Sequence, residues 1–149
     1  MGRMSQKFRF SLQSVLEHRQ HLQEQAQIAL SKELAVQHQL ESELQALQKE
    51  YGELEKARPA QGSGECIMRT IAYLDFMKGV IVRKAKEIEQ AKGKVVEARN
   101  ALVERNRAAR ALEILRERQH ESFRKQANRQ ETRQLDDFGS QQFLRIQAT

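Results

Sequence analysis

The sequence predicts an all-α protein, a long two-helix antiparallel coiled-coil hairpin whose second helix overhangs the first at its C-terminal end. Apolar residues recur at three- and four-residue steps on both sides of the one proline, Pro59, which stands beside Gly62, Ser63 and Gly64. The composition points the same way. Of 149 residues, 31% are charged and 5% aromatic, with no tryptophan, so apolar side chains can be buried along a narrow seam but not in a thick core. Intrinsic disorder is the alternative for so polar a chain, and the sustained heptads stand against it.

Helix one is expected from about residue 12 to 56. Ser11 can cap its first turn, with Phe10 and Val15 placed as a hydrophobic staple, and Arg58-Pro59 ends it because proline disfavours helical geometry in the residue before it. Leu40, Leu44, Leu47, Tyr51 and Leu54 step by four, three, four and three along one seam. Earlier, Phe8, Leu12, Val15, Leu22, Ala26 and Ala29 fit a seam that shifts by one position before Leu40, which predicts a local change of supercoiling.

After a turn over about 57–65, helix two is expected over about 66–137, with Gly139 as its stop and 139–149 as a flexible tail, all within one coiled-coil domain. Its seam reads Ile67, Ile71, Leu74, Lys78, Ile81, Ala85, Ile88, Lys92, Val95, Arg99 and Leu102. Gly79 and Gly93 lie inside it as weak points, or as places where the helix bends or another backbone comes close. At 1.5 Å per residue the helices would be roughly 70 Å and 105–110 Å long. Residue 12 then falls opposite a position near 112, which leaves the segment from about Glu117 unpartnered although it carries Phe123, Leu135, Phe138, Phe143, Leu144 and Ile146. Exposed apolar positions on an overhanging helix predict a docking site on another protein, with a frayed tail as the alternative.

The formal charge is +6 and unevenly spread. Residues 1–58 balance at zero, while residues 99–133 hold ten basic and five acidic side chains. A basic helix can meet nucleic acid, an acidic membrane surface or an acidic protein. Acids at Glu104, Glu113, Glu117, Glu121 and Glu131 interrupt the arginine run, and aromatic stacking residues are scarce, so a solvated or protein-binding face fits better than a nucleic-acid site. One cysteine, Cys66, forms no internal disulfide and suits a reducing compartment. No apolar stretch approaches the roughly 20 residues of a membrane span, and the N-terminus has no hydrophobic region of a secretory signal. These features predict a cytoplasmic protein.

Nothing in the sequence predicts catalysis, a cofactor or a small-molecule substrate. It has no phosphate-binding glycine loop, no paired-cysteine metal motif and no nucleophile beside a base. His18 and His21 share a helix face but lack a third ligand, and they read as solvated histidines. Glu87 and Glu89, two apart, point in different directions.

The two ends carry a resemblance that periodicity alone does not. Lys7-Phe8-Arg9-Phe10-Ser11-Leu12-Gln13-Ser14-Val15-Leu16 resembles the Phe-x-Phe-x-Leu-x-x-Val-Leu opening of the flagellar export protein FliJ family. Glu131 with Leu135-Asp136-Asp137-Phe138 resembles that family's C-terminal Glu-x-x-x-Leu/Met-Asp-Glu/Asp-Phe segment. The resemblance implies a non-enzymatic component of the flagellar type III export apparatus, like the central stalk of a rotary ATPase. It implies three partners: the export ATPase ring, whose assembly and activity the stalk promotes, the membrane-embedded export gate, and export chaperones. It also implies a cytoplasmic location, peripheral to the inner membrane at the flagellar base.

Carried over residue by residue, the resemblance makes Phe8, Phe10, Leu12, Val15 and Leu16 with Leu135, Asp136 and Phe138 the candidate ATPase end. Tyr73 and Phe76 match an aromatic pair in the gate-binding patch, and Val80 stands where a further apolar residue is expected. Arg83 and Glu87 depart from the pattern that would continue that face. Other readings left open are a nucleic-acid-binding basic coiled coil, a general structural or homodimeric coiled coil, and the stalk protein of a virulence-type secretion system.

Overall fold

A computed structural model describes residues 6–57 and 64–148. Pro59, the Arg58-Pro59 helix stop and the Gly62-Ser63 part of the expected turn lie outside the described residues. The chain is an all-α helical hairpin of two long helices packed on each other, α1 (Gln13–Lys56) and α2 (Gly64–Gln147). It divides into two compact units: the described parts of Met1–Leu22 and Arg105–Thr149 form one, and Gln23–Glu104 forms the other.

The second unit is an antiparallel pair. Lys84 Nζ lies 2.8 Å from Glu43 Oε2, and Tyr73 Oη donates to Glu50 Oε1 at 3.5 Å. On α2 of this unit Ile67, Thr70, Leu74, Met77, Ile81, Lys84, Ile88, Ala91, Val95, Ala98 and Leu102 are covered and form an unbroken heptad row beginning with a step of three, with Val80 partly covered beside it. This corrects the expected seam at every second position. Ile67, Leu74, Ile81, Ile88, Val95 and Leu102 are where periodicity put them, but Ile71, Lys78, Ala85, Lys92 and Arg99 are exposed. The physical reason is side-chain character: the observed phase puts Met77, Ala91 and Ala98 inside, whereas the other would bury Lys78, Lys92 and Arg99. Met77, Ala91 and Val95 are each under 5% exposed.

On α1 of this unit Gln23, Ala26, Leu30, Glu33, Gln37, Leu40, Leu44, Leu47, Tyr51 and Leu54 form one covered row, with Leu34, Glu41, Glu43 and Gly52 partly covered beside it. The steps alternate without interruption, so the expected one-position shift is absent. Gln23, Glu33 and Gln37 hold seam positions with their aliphatic stems, and a search for apolar residues passes over them.

Lys84 is the cation on this seam. Its ammonium bonds Glu43 and lies 3.6 Å from Glu87. The hydrogen bond from Lys84 is the main reason the Glu43 carboxyl titrates below 4.5, its ordinary value, with a second bond from Gln39 and the lysine charge adding to it. The same hydrogen bond raises Lys84 above 10.5. A carboxylate depressed in the folded state contributes stability that is complete above the unfolded pKa and is lost as pH falls through the folded one. Thermal melts below about pH 4.5 should therefore fall more steeply for the wild type than for Glu43→Gln. Parallel acid limbs would remove this pair from the account.

Gly79 and Gly93 lie within α2, and a Cβ built on either meets no atom within 4 Å. Among the described residues, no backbone beyond their own helical turns comes that close. Alanine at each should stabilise the helix by roughly 0.5–1 kcal/mol through lower backbone entropy in the unfolded chain. Thermal unfolding of Gly93→Ala checks this, and an unchanged or lowered midpoint would contradict it. The helix also passes through Gly139 to Gln147, so the expected stop at Gly139 is not found. Glycine alone does not end a helix unless the backbone turns left-handed, and no positive-φ glycine occurs among the described residues.

Candidate functional site: the terminal unit

Residues 6–10 are non-helical and run into a turn at Ser11-Leu12. The first turn of α1 is closed by backbone, with the Gln13 N–H donating to the Phe10 carbonyl at 3.1 Å and the Leu16 N–H to the Leu12 carbonyl at 2.9 Å. Phe10 packs with Leu16 and Leu112 in one buried cluster, against which Phe8 is partly buried. The staple partner of Phe10 is therefore Leu16 and not Val15, which is 40% exposed. A ring at the end of an extended strap reaches the residue whose side chain projects toward α2, and on α1 that is Leu16.

The strap reaches further along α2 than helix length alone predicts. The Phe8 ring meets His120 edge-on at a centroid distance of 5.0 Å and Phe123 at 5.7 Å. Among the described residues, the part of α2 in which every residue is exposed accordingly begins at Arg124 when the half-buried Phe123 is counted with the strap, and not near Glu117. Phe123 is half-buried, not part of the exposed set. Behind the strap, the Arg19 guanidinium donates to the Ala108 carbonyl at 2.9 Å, beside Ala109, which is 1% exposed. An arginine across a small-residue crossing ties α1 to α2 where no large apolar side chain fits.

The structure thus sorts the eight residues expected at the ATPase end. Phe10 and Leu16 are core, Phe8 is half-buried, and Leu12 and Val15 lie on the exposed side of the first turns of α1. Leu135, Asp136 and Phe138 are exposed on α2, with Leu135 and Phe138 each about 60% open. They are not brought against the strap. Leu135 is twelve residues beyond Phe123, about 18 Å along the helix and about a third of a turn around it. The tail's apolar stripe, Leu135, Phe138, Phe143 and Ile146, is therefore not a continuation of the seam. A shallow groove there is lined by Leu135, Asp136, Gly139, Ser140, Phe143 and Leu144.

In the Gln23–Glu104 unit, Tyr73, Phe76 and Val80 lie at i, i+3 and i+7 beside the seam, with Phe76 61% exposed and Val80 partly covered. They are flank, and the seam itself is Leu74, Met77 and Ile81. Gly79 follows Phe76 around the helix, whereas exposed Met68 and Val82 lie toward the other flank of the seam and are not part of this face. Sequence reasoning missed Arg19 and Lys84 because both are cations at seam positions.

The chemistry available to these surfaces is binding. Among the described residues, no group of three or more His, Cys, Asp or Glu side chains is placed to hold a metal ion. No helix of the described residues is long and apolar enough to cross a membrane.

The family model for the flagellar FliJ protein matches residues 8–148, from the first strap phenylalanine almost to the last residue. The chain belongs to the FliJ family. No curated protein and no solved structure matches it. FliJ membership makes the chain a component of the flagellar protein-export apparatus, in a family of non-catalytic export components, and connects it with flagellum biogenesis and type III protein export. Both FliJ-like ends fall within the matched span.

Proposed function

We propose that this FliJ-family chain is the central-stalk-like element of the export machine. In this reading its terminal unit binds the export ATPase ring and promotes the ring's assembly and activity, while the Tyr73, Phe76 and Val80 face contacts the export gate. The chain also helps handle export chaperones, and it works in the cytoplasm at the inner membrane through these partners. The observation that carries the ATPase part is the stretch of α2 from Arg124 to Gln147, every residue of it exposed and four of its large apolar side chains on one stripe. A helix supplied with apolar residues and no intramolecular cover has the form of a partner-docking element.

The coupling mechanism is differential binding. An asymmetric rod inside a ring of like subunits contacts them unequally, so it favours one subunit conformation at a time and links nucleotide state to rod contact. Phe10 and Leu16, being buried, serve by holding the strap and the start of α1 on α2, and contact with the ring falls to Leu12, Val15, Leu135 and Phe138.

Site-directed crosslinking tests the assignment. In a Cys66→Ser background, Phe138→Cys carrying a short photocrosslinker should capture the ATPase, and Phe76→Cys should capture the gate protein. Capture of the gate by position 138, or of the ATPase by position 76 alone, would overturn it.

A further inference from the structure

Residues 105–133 of α2 carry more cations than any other part of the chain, and their placement around the helix is not even. At 100° per residue, Arg107, Arg118, Lys125 and Arg129 fall within a sector of about 40°. Ala109 and Phe123, which face α1 and the strap, lie roughly on the opposite side. All four cations are exposed, and Arg107, Arg118 and Arg129 have no ion pair among the described residues.

Carboxylates bracket this sector, with Glu104 about 20° off its edge and Asp136 inside it one heptad beyond Arg129, while those that interrupt the run between these two largely leave it. Glu113 and Glu131 lie on the far side of the helix, and Glu117 is about a quarter-turn away. Glu121, at the sector's edge, lies 3.6 Å from Lys125. Arg110, outside the row, is the cation engaged by Glu113 and Glu117, at 3.3 and 3.6 Å. Glu121 thus meets one cation of the row, Lys125, while the three arginines of the row keep their charge unpaired among the described residues.

We infer that this row is a docking surface for an acidic protein helix. The positions between the cations on this face are small or uncharged, Ala111 and Ser122 among them, and no aromatic side chain lies in the sector to stack on bases. The apolar margin is confined to Ile114, which is partly buried, and Leu115, which is 36% exposed, a smaller apolar face than one that sinks a helix into lipid. Steps of eleven, seven and four residues are the repeat of one helix face, so carboxylates at the same steps on a partner helix would meet the cations one by one. This surface is distinct from the apolar stripe of the tail, and the inference stands whether or not the ATPase is the partner there.

The test uses the full chain and two variants of equal charge. One replaces Arg107, Arg118, Lys125 and Arg129 with glutamine, and the other replaces the exposed Arg69, Lys86, Lys94 and Arg99. The probe is a labelled helical peptide with glutamates at the same steps, compared by fluorescence anisotropy with its scrambled isomer, a single-stranded RNA oligonucleotide and phosphatidylglycerol vesicles. Loss of the row should weaken peptide binding about ten-fold or more while the control variant changes it less than about three-fold, and the scrambled peptide should bind weakly to both. Circular dichroism verifies that each variant is helical, and the double variant Arg118→Gln/Arg129→Gln gives the same comparison if the fourfold one unfolds. Equal loss in both variants would reduce the effect to net charge. RNA or vesicles binding more tightly than the peptide, or row-dependent self-association of the chain, would likewise overturn the inference.

Discussion

Replacing Ala91 with glutamate should destabilise the hairpin by about 3 kcal/mol or more, whereas Lys92→Glu, one residue along, should change its stability by less than about 0.5 kcal/mol. Ala91 is 4% exposed at the α1–α2 seam, and Lys92 is half-exposed with its ammonium 3.3 Å from Glu89. A carboxylate at position 91 must either lose its hydration between two helices or hold the seam open, and it finds no cation placed to meet it there. At position 92 the same group stays in water. Met77→Glu against Lys78→Glu repeats the contrast two heptads earlier, with Met77 3% exposed. Urea unfolding followed by circular dichroism measures both pairs, and an unchanged denaturant slope keeps the comparison on stability alone. The reverse ranking would restore the seam through Lys78 and Lys92.

The second large effect is on binding. Leu135→Ser with Phe138→Ser should weaken association with the export ATPase at least about ten-fold and leave the melting midpoint within a degree or so, because both side chains are about 60% exposed and touch no core. Phe10→Ala should behave in the opposite order. It truncates a ring that is 7% exposed and packed on Leu16 and Leu112, so stability falls by about 3 kcal/mol or more, and binding weakens only as the strap comes loose. Titration calorimetry beside thermal melts separates the two. Equal binding losses at constant midpoint for both variants would mean that Phe10 is contact surface and the strap is not closed in solution.

Much of this fold was legible from spacing alone, since helix class follows from the heptads, as do both seam rows of α1 from Leu40 to Leu54 and one of the two rows of α2. The other row of α2 was misread for a physical reason. A search for apolar residues is attracted to Ile71 and Ala85 and passes over Thr70 and Lys84, although a lysine stem that carries its charge to Glu43 covers a seam as well as an isoleucine placed one position off it. Likewise Arg19 and Gln23 hid the continuity of α1, and the result looked like a shift in register. The strap was half legible. Phe8 and Phe10 marked the family, but their sequence spacing does not reveal that extended chain carries Phe8 as far as His120 and Phe123. The tail stripe was read correctly as apolar, while its rotation away from the seam emerges only when positions 123 and 135 are placed on one helix.

ATP hydrolysis by the export ATPase of the same flagellar system, with the full chain and with a chain ending at Phe123, tests the stalk proposal most directly. The shortened chain keeps Phe8, Phe10, Leu16, Leu112 and Phe123, hence the strap contacts, and the described residues it lacks are all exposed. Stimulation by the full chain and none by the shortened chain, with the thermal midpoint of the hairpin retained, is the predicted result. Stimulation by both to the same extent would contradict it, because the ATPase contact would then lie outside the tail that the proposal makes essential.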